Sequence, residues 1–168
     1  MPGNRRDDRF YSRAYLKPLP AQVYLDAVVQ ATGVAHEFAE QPPGTDAVSL
    51  ANPRTPSYAL DVLGRCSREA TCDGSSQIGG GIAQALHLIN GPTINDKLSG
   101  GVVADLLASS RSDREVIVEL YLRTLSREPT AAEAVEWEKW LGGATERTDA
   151  VQDLLWALLN SREFAFNH

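Results

Sequence analysis

The sequence predicts a mainly α fold, a single-domain helical bundle with an irregular segment between its first and second helices. Three observations carry this. Ser112 with Glu115 and Thr130 with Glu133 have the spacing of capping boxes, in which hydroxyl and carboxylate satisfy the free amides at a helix start. Apolar residues recur at helical spacing around and after those starts. Pro42, Pro43, Gly44, Pro53 and Pro56 break the intervening stretch into pieces too short for a long helix.

At 168 residues, the chain can bury one sizeable core, so a single domain over 1–168 is expected. Within it, 1–19 reads as an N-terminal arm, 34–81 as the irregular segment and 82–168 as the bundle. The arm has no sustained period and offers Phe10, Tyr11 and Tyr15 for packing. From Pro20 the pattern becomes helical: Leu25, Val28, Val29 and Thr32 share a face, Pro20 suits a first turn and Gly33 suits the left-handed terminating position. In the irregular segment, Ala47–Leu50 and Tyr58–Leu63 are the candidates for short extended pieces, pairing as a small hairpin or covering the helices.

Gly74 and the triplet Gly79-Gly80-Gly81 mark a second irregular stretch. Beyond it Ile82, Ala85, Leu86 and Ile89 form one apolar stripe, with Gln84, His87 and Asn90 on the adjoining face at spacings of three. Gly91-Pro92 ends this helix, and short helical turns follow at Ile94–Leu98 and Val102–Ser109. The two capped helices come next. The first carries Ile117, Leu120, Tyr121 and Leu125 and stops before Pro129; the second carries Ala134, Trp137 and Leu141 and stops at Gly142-Gly143. The short turn between them predicts an antiparallel pair. A last helix from about Asp149 closes the bundle through Val151, Leu154, Leu155 and Leu158, leaving Phe164 and Phe166 to anchor the tail.

Hydrophobic residues at 43% and charged residues at 23% are ordinary globular usage. A net charge of −6 argues against nucleic acid as a partner, because phosphate binding needs a clustered cationic surface. The arginines that do cluster, Arg5, Arg6, Arg9 and Arg13, are interleaved with Asp7 and Asp8 and read as a solvated arm. No apolar run approaches the ~20 residues of a membrane span, and no export signal follows Met1.

Reactive constellations are scarce. Gln84, His87 and Asn90 are the candidate binding residues, a base or ligand flanked by two amides, yet no nucleophile or second ligand is placed beside them. A histidine beside an apolar stripe more often makes structural hydrogen bonds. The glycine triplet, with Ser75 and Ser76, could hold an anion but lacks the Lys-Ser/Thr ending of a phosphate loop. No Gly-x-Ser-x-Gly elbow, calcium loop or paired-carboxylate spacing occurs, so neither catalytic residues nor metal ligands are assigned. Cys66 and Cys72 are spaced too widely for a redox motif and lack a histidine partner for zinc; free thiols and, in an oxidising compartment, a short-loop disulfide both stay open. Trp137, Trp140 and Trp156 suit the core or a partner surface more than a sugar site.

Several runs together resemble a known family: Arg9-Phe10-Tyr11-Ser12-Arg13, Leu25-Asp26-Ala27-Val28, Gly64-Arg65, Gln84 to Gly91, Leu120-Tyr121 with Ser126-Arg127-Glu128-Pro129-Thr130, and Leu158 to Phe164. This is the C-terminal planctomycete-specific domain of unknown function that accompanies cytochrome-c-like domains in large exported bacterial proteins. After Cys72 the chain departs from that family, reading Asp73-Gly74-Ser75-Ser76-Gln77 where the family has a second cysteine and charges. Ile117 to Phe164 is also similar to the helical repeats of phycobilisome-linker-like domains.

The resemblance implies the C-terminal part of a longer exported protein, acting in the periplasm or at the cell surface, and a non-catalytic binding or assembly role. Its partners would be upstream domains of the parent or another envelope protein. With no Cys-x-x-Cys-His, the chain is expected to hold no haem or other cofactor itself. The rival reading is an enzyme, acting on polysaccharide, with its site near His87.

Overall fold

The computed structural model of the chain describes residues 17–65 and 82–167, and these form a mainly α domain. Helix α1 (Ala21–Thr32) lies at its centre, packed against α2 (Tyr58–Val62), α5 (Gly101–Ala108) and α6 (Asp113–Leu125). Its buried face is Tyr24, Leu25, Val28 and Ala31. Pro20 occupies the N-cap, one position before the first turn, and Gly33 ends the helix at φ 69° with its N–H on the Val29 carbonyl. That left-handed turn is open to glycine at little cost.

The segment after α1 corrects two expectations. Ala47–Ser49 is a 3₁₀ turn, because the Asp26 carboxylate on α1 accepts the Ala47 and Val48 amides at 2.7 and 2.9 Å. Tyr58–Val62 is helix α2, started by the Ser57 hydroxyl accepting the Leu60 N–H and held by burial of Ala59 and Leu60. A short apolar run has no period of its own to separate strand from helix, and here the cap decides. The expected hairpin is therefore absent among the described residues. The one strand pairing among the described residues is elsewhere: β1 (Lys17–Pro18) runs antiparallel to β2 (Phe166–Asn167), and the Leu19 amide adds a bond to the Ala165 carbonyl.

Helix α3 (Ile82–Asn90) is followed directly by α4 (Pro92–Asn95). Of the apolar stripe read on α3, Ala85, Leu86 and Ile89 are exposed, whereas His87 is buried. Three contacts set this rotation: the His87 ring against Gly91, its bond to Thr93, and the Trp156 indole on the Ile89 carbonyl.

Both capping boxes form in full, at Ser112/Glu115 on α6 and Thr130/Glu133 on α7 (Ala131–Gly143). Arg114, at the start of α6, bonds Glu138, late in α7, so the pair is antiparallel. Helix α8 (Arg147–Leu159) begins two residues before the expected Asp149, because Arg147 bonds Asp113 and the Arg111 carbonyl and draws the first turn onto the α6 start. The core between these helices is Leu25, Val28, Ile94, Ile117, Leu120, Val151, Leu154, Leu155 and Leu159, each sealed from solvent. The short α9 (Arg162–Ala165) seats Phe164 on Tyr24, ring edge to face at 5.5 Å.

Candidate binding groove

Helices α7 and α8 are joined by a short connection and leave an open groove of about 1080 Å³ along their outer surface. All three tryptophans of the chain line it: Trp137 and Trp140 from α7, Trp156 from α8. On α8 the facing positions Ala150 and Ala157 are small, which keeps the floor open. The rings differ in how firmly they are held. Trp137 is half-buried and donates its indole N–H to the Tyr121 hydroxyl at 3.0 Å. Trp156 is half-buried and donates to the Ile89 carbonyl at 3.2 Å. Trp140 is 53% exposed, large apolar surface left to solvent.

The polar lining is mostly acidic: Glu133, Glu136, Glu146, Asp149 and Asp153 against one cation, Lys139. Glu133 is held by Arg127 at 2.9 Å. Glu136, Glu146, Asp149 and Asp153 are exposed and form no ion pair among the described residues.

Beside the groove stands a cluster in which Arg127 forks onto both Glu163 and Glu133 and lies over the Tyr121 ring at 5.3 Å. Its two carboxylates raise the Arg127 guanidinium, and that guanidinium with the Thr130 amide holds Glu133 down to about 2. The cluster fixes the α6–α7 turn, where Ser126 adopts φ 54°, against α9. Sequence reasoning singled out Ser126 to Thr130 and Leu158 to Phe164 as motifs without finding their link. The local signal is an arginine in a turn before proline with a glutamate in the first turn of the next helix; Glu163, 36 residues on in α9, has no local signal.

Gln84, His87 and Asn90 do not converge. Gln84 is half-buried, His87 is 6% exposed and Asn90 is exposed. The His87 Nε2 lies 2.7 Å from the Thr93 hydroxyl, and the Tyr58 ring meets the imidazole edge to face at 5.4 Å. Burial lowers the His87 pKa, so the ring is neutral and committed to its neighbours near pH 7. Cys66, Cys72 and Gly79 to Gly81 lie outside the described residues.

A smaller cleft of about 210 Å³ between α5 and α6 is bridged by Glu119, which bonds Arg123 at 2.7 Å and Arg111 at 3.4 Å. Among the described residues, no buried side-chain nitrogen or oxygen lacks a hydrogen-bond partner and no His, Cys, Asp or Glu group has the arrangement of a metal site. Among them, too, no helix is long and apolar enough to cross a membrane. Compared with protein-family profiles, with curated proteins and with solved structures, the chain matches none.

Proposed function

We propose that this domain is a non-catalytic binding or assembly module that works through the α7–α8 groove. One observation carries the reading: every tryptophan of the chain lines the same open groove, and Trp140 presents more than half of its surface to solvent there. Buried aromatic anchors dominate the energetics of protein interfaces, and an indole left exposed on a well-packed helix is surface available for that use. The runs that resemble the cytochrome-associated exported family flank these helices, Ser126 to Thr130 before α7 and Leu158 to Phe164 from the end of α8, and support a place in the envelope as part of a longer parent, with partners among its upstream domains or other envelope proteins.

Trp140 makes a clean test because it makes no hydrogen bond among the described residues and contributes little to the core. Immobilised chain and its Trp140→Ala variant, matched in melting temperature, would be compared for retention of purified envelope proteins. Retention lost in the variant supports the module reading. Equal retention by both would overturn it.

A further inference from the structure

Resting on the groove as a binding site, we infer that its occupant is a lysine- or arginine-bearing amphipathic peptide segment of a partner protein. The argument begins with the charges. Asp149 and Asp153 stand one helical turn apart on α8, so their carboxylates repel, and no cation among the described residues relieves them. Glu136 and Glu146 add negative charge without an ion pair among the described residues, and Lys139 is the one cation in the groove lining. Arg114 and Arg147 hold Glu138 and Asp113, which lie outside the groove lining, and Arg127 is committed to Glu133 and Glu163, so the arginines of the bundle leave the other four groove carboxylates without an ion pair among the described residues.

The second part is the aromatic wall. Trp140 and Trp156 line the groove together with those carboxylates, and an indole is the best side-chain platform for a guanidinium or ammonium. A cationic side chain entering here stacks on a ring and meets a carboxylate at the rim, while apolar neighbours on the same segment fill the floor over Ala150 and Ala157. A groove of about 1080 Å³ between two helices is the shape that accepts a segment of this kind. A sugar would also stack on indole, but this lining offers carboxylates and almost no amide or hydroxyl donors, with Thr145 the one hydroxyl. The acidic field would also steer a cationic segment to the site, an effect that weakens with salt.

The test titrates the full chain with three synthetic probes, followed by tryptophan fluorescence: a 14-residue Lys/Leu amphipathic peptide, its Gln-for-Lys counterpart, and an uncharged oligosaccharide. The expected result is saturable quenching by the lysine peptide, at least tenfold weaker binding of the glutamine peptide, and at least tenfold weaker lysine-peptide binding by the Asp149→Asn, Asp153→Asn variant. A control variant, Asp105→Asn with Glu128→Gln, removes two exposed carboxylates away from the groove and should bind as the wild type does. If the glutamine peptide or the oligosaccharide binds as well and Trp140→Ala abolishes it, the groove stands and the cationic occupant falls. If the control variant weakens binding as much as the groove variant, attraction is to overall charge and the inference is overturned. If no probe changes the fluorescence, the inference and the groove reading fall together.

Discussion

Arg127 and Glu163, 36 residues apart, are joined by two parallel hydrogen bonds, Nε to Oε1 at 2.6 Å and Nη2 to Oε2 at 2.9 Å. The same guanidinium forks onto Glu133 at 2.9 Å through both of its terminal nitrogens. One planar cation thus fixes the α6–α7 turn, the start of α7 and the tail helix in a single arrangement. Lysine cannot reproduce this, because an ammonium is a point charge without the fork. Arg127→Lys is expected to cost about 1–2 kcal/mol by urea unfolding, the lower end reflecting partial exposure and screening by water. In a double-mutant cycle with Glu163→Gln the two losses should be less than additive; strict additivity would mean that the fork contributes nothing.

The same cluster sets an acid limit. Arg127 first, and then the Thr130 amide, depress Glu133 from its ordinary 4.5 to about 2 in the folded state. The unfolded chain therefore takes up its proton first, so the stabilisation is complete above pH 4.5 and is lost as pH falls toward 2. Melting temperature followed across that window should fall more steeply for the wild type than for Glu133→Gln. Parallel curves would place the acid sensitivity in other carboxylates.

How much of this was legible depended on where each residue's partner lay. Ser112 and Thr130 find their carboxylates three residues on, and both helix starts came out where the spacing put them. Gly33 likewise needed only its own backbone. Ala47–Leu50 carries no local sign of its 3₁₀ turn because the group that shapes it, Asp26, lies 21 residues earlier on another helix. The α3 stripe does not set which side of the helix is buried, because the helix is turned by Gly91, Thr93 and Trp156 and not by its own apolar residues. The candidate trio at Gln84, His87 and Asn90 was a valid helical spacing, but burial of the middle member separates it from the outer two. The tryptophans could be assigned to the last helices from sequence; that they share one groove depends on how α7 packs on α8, which periodicity does not give.

Gly91 should tolerate no side chain. A Cβ there would sit 2.3 Å from the His87 carbonyl oxygen and 2.4 Å from its Nδ1. Rotating the imidazole away would relieve the second contact but not the first, which is backbone. Gly91→Ala is therefore expected to cost about 1–3 kcal/mol, as overpacking does in a closed site. Adding His87→Ala should not restore the melting temperature; full restoration would show that the ring alone excludes the methyl group.

Lys97 is a charged residue only 5% exposed, and its ammonium donates to the Val34 and Ala35 carbonyls at 2.9 and 2.5 Å. Burial lowers its pKa, with Asp96 and Glu37 opposing that shift. Its role is to end the chain's exit from α1, where Gly101 also approaches the Thr32 carbonyl too closely for a Cβ at 2.3 Å. Lys97→Met keeps the stem and removes the donors, stranding two carbonyls, and should cost about 2–3 kcal/mol. A loss below about 0.5 kcal/mol would mean that water takes over the ammonium's bonds.

Asp26 gives the last prediction. Its two carboxylate oxygens accept separate amides, Ala47 at 2.7 Å and Val48 at 2.9 Å, and so hold the 3₁₀ turn to α1. Asp26→Ala frees both amides, and the expected loss is about 1–2 kcal/mol, in the range of a removed helix cap. Asp26→Asn keeps one acceptor and presents an NH₂ group to the other amide, so it should fall between alanine and wild type. Limited proteolysis discriminates further, because cleavage between Gln41 and Arg54 should quicken in the same order while cleavage in α6 does not change. If the alanine variant is cut no faster, the segment is held instead by burial of the Phe38, Ala47 and Leu63 side chains in the core.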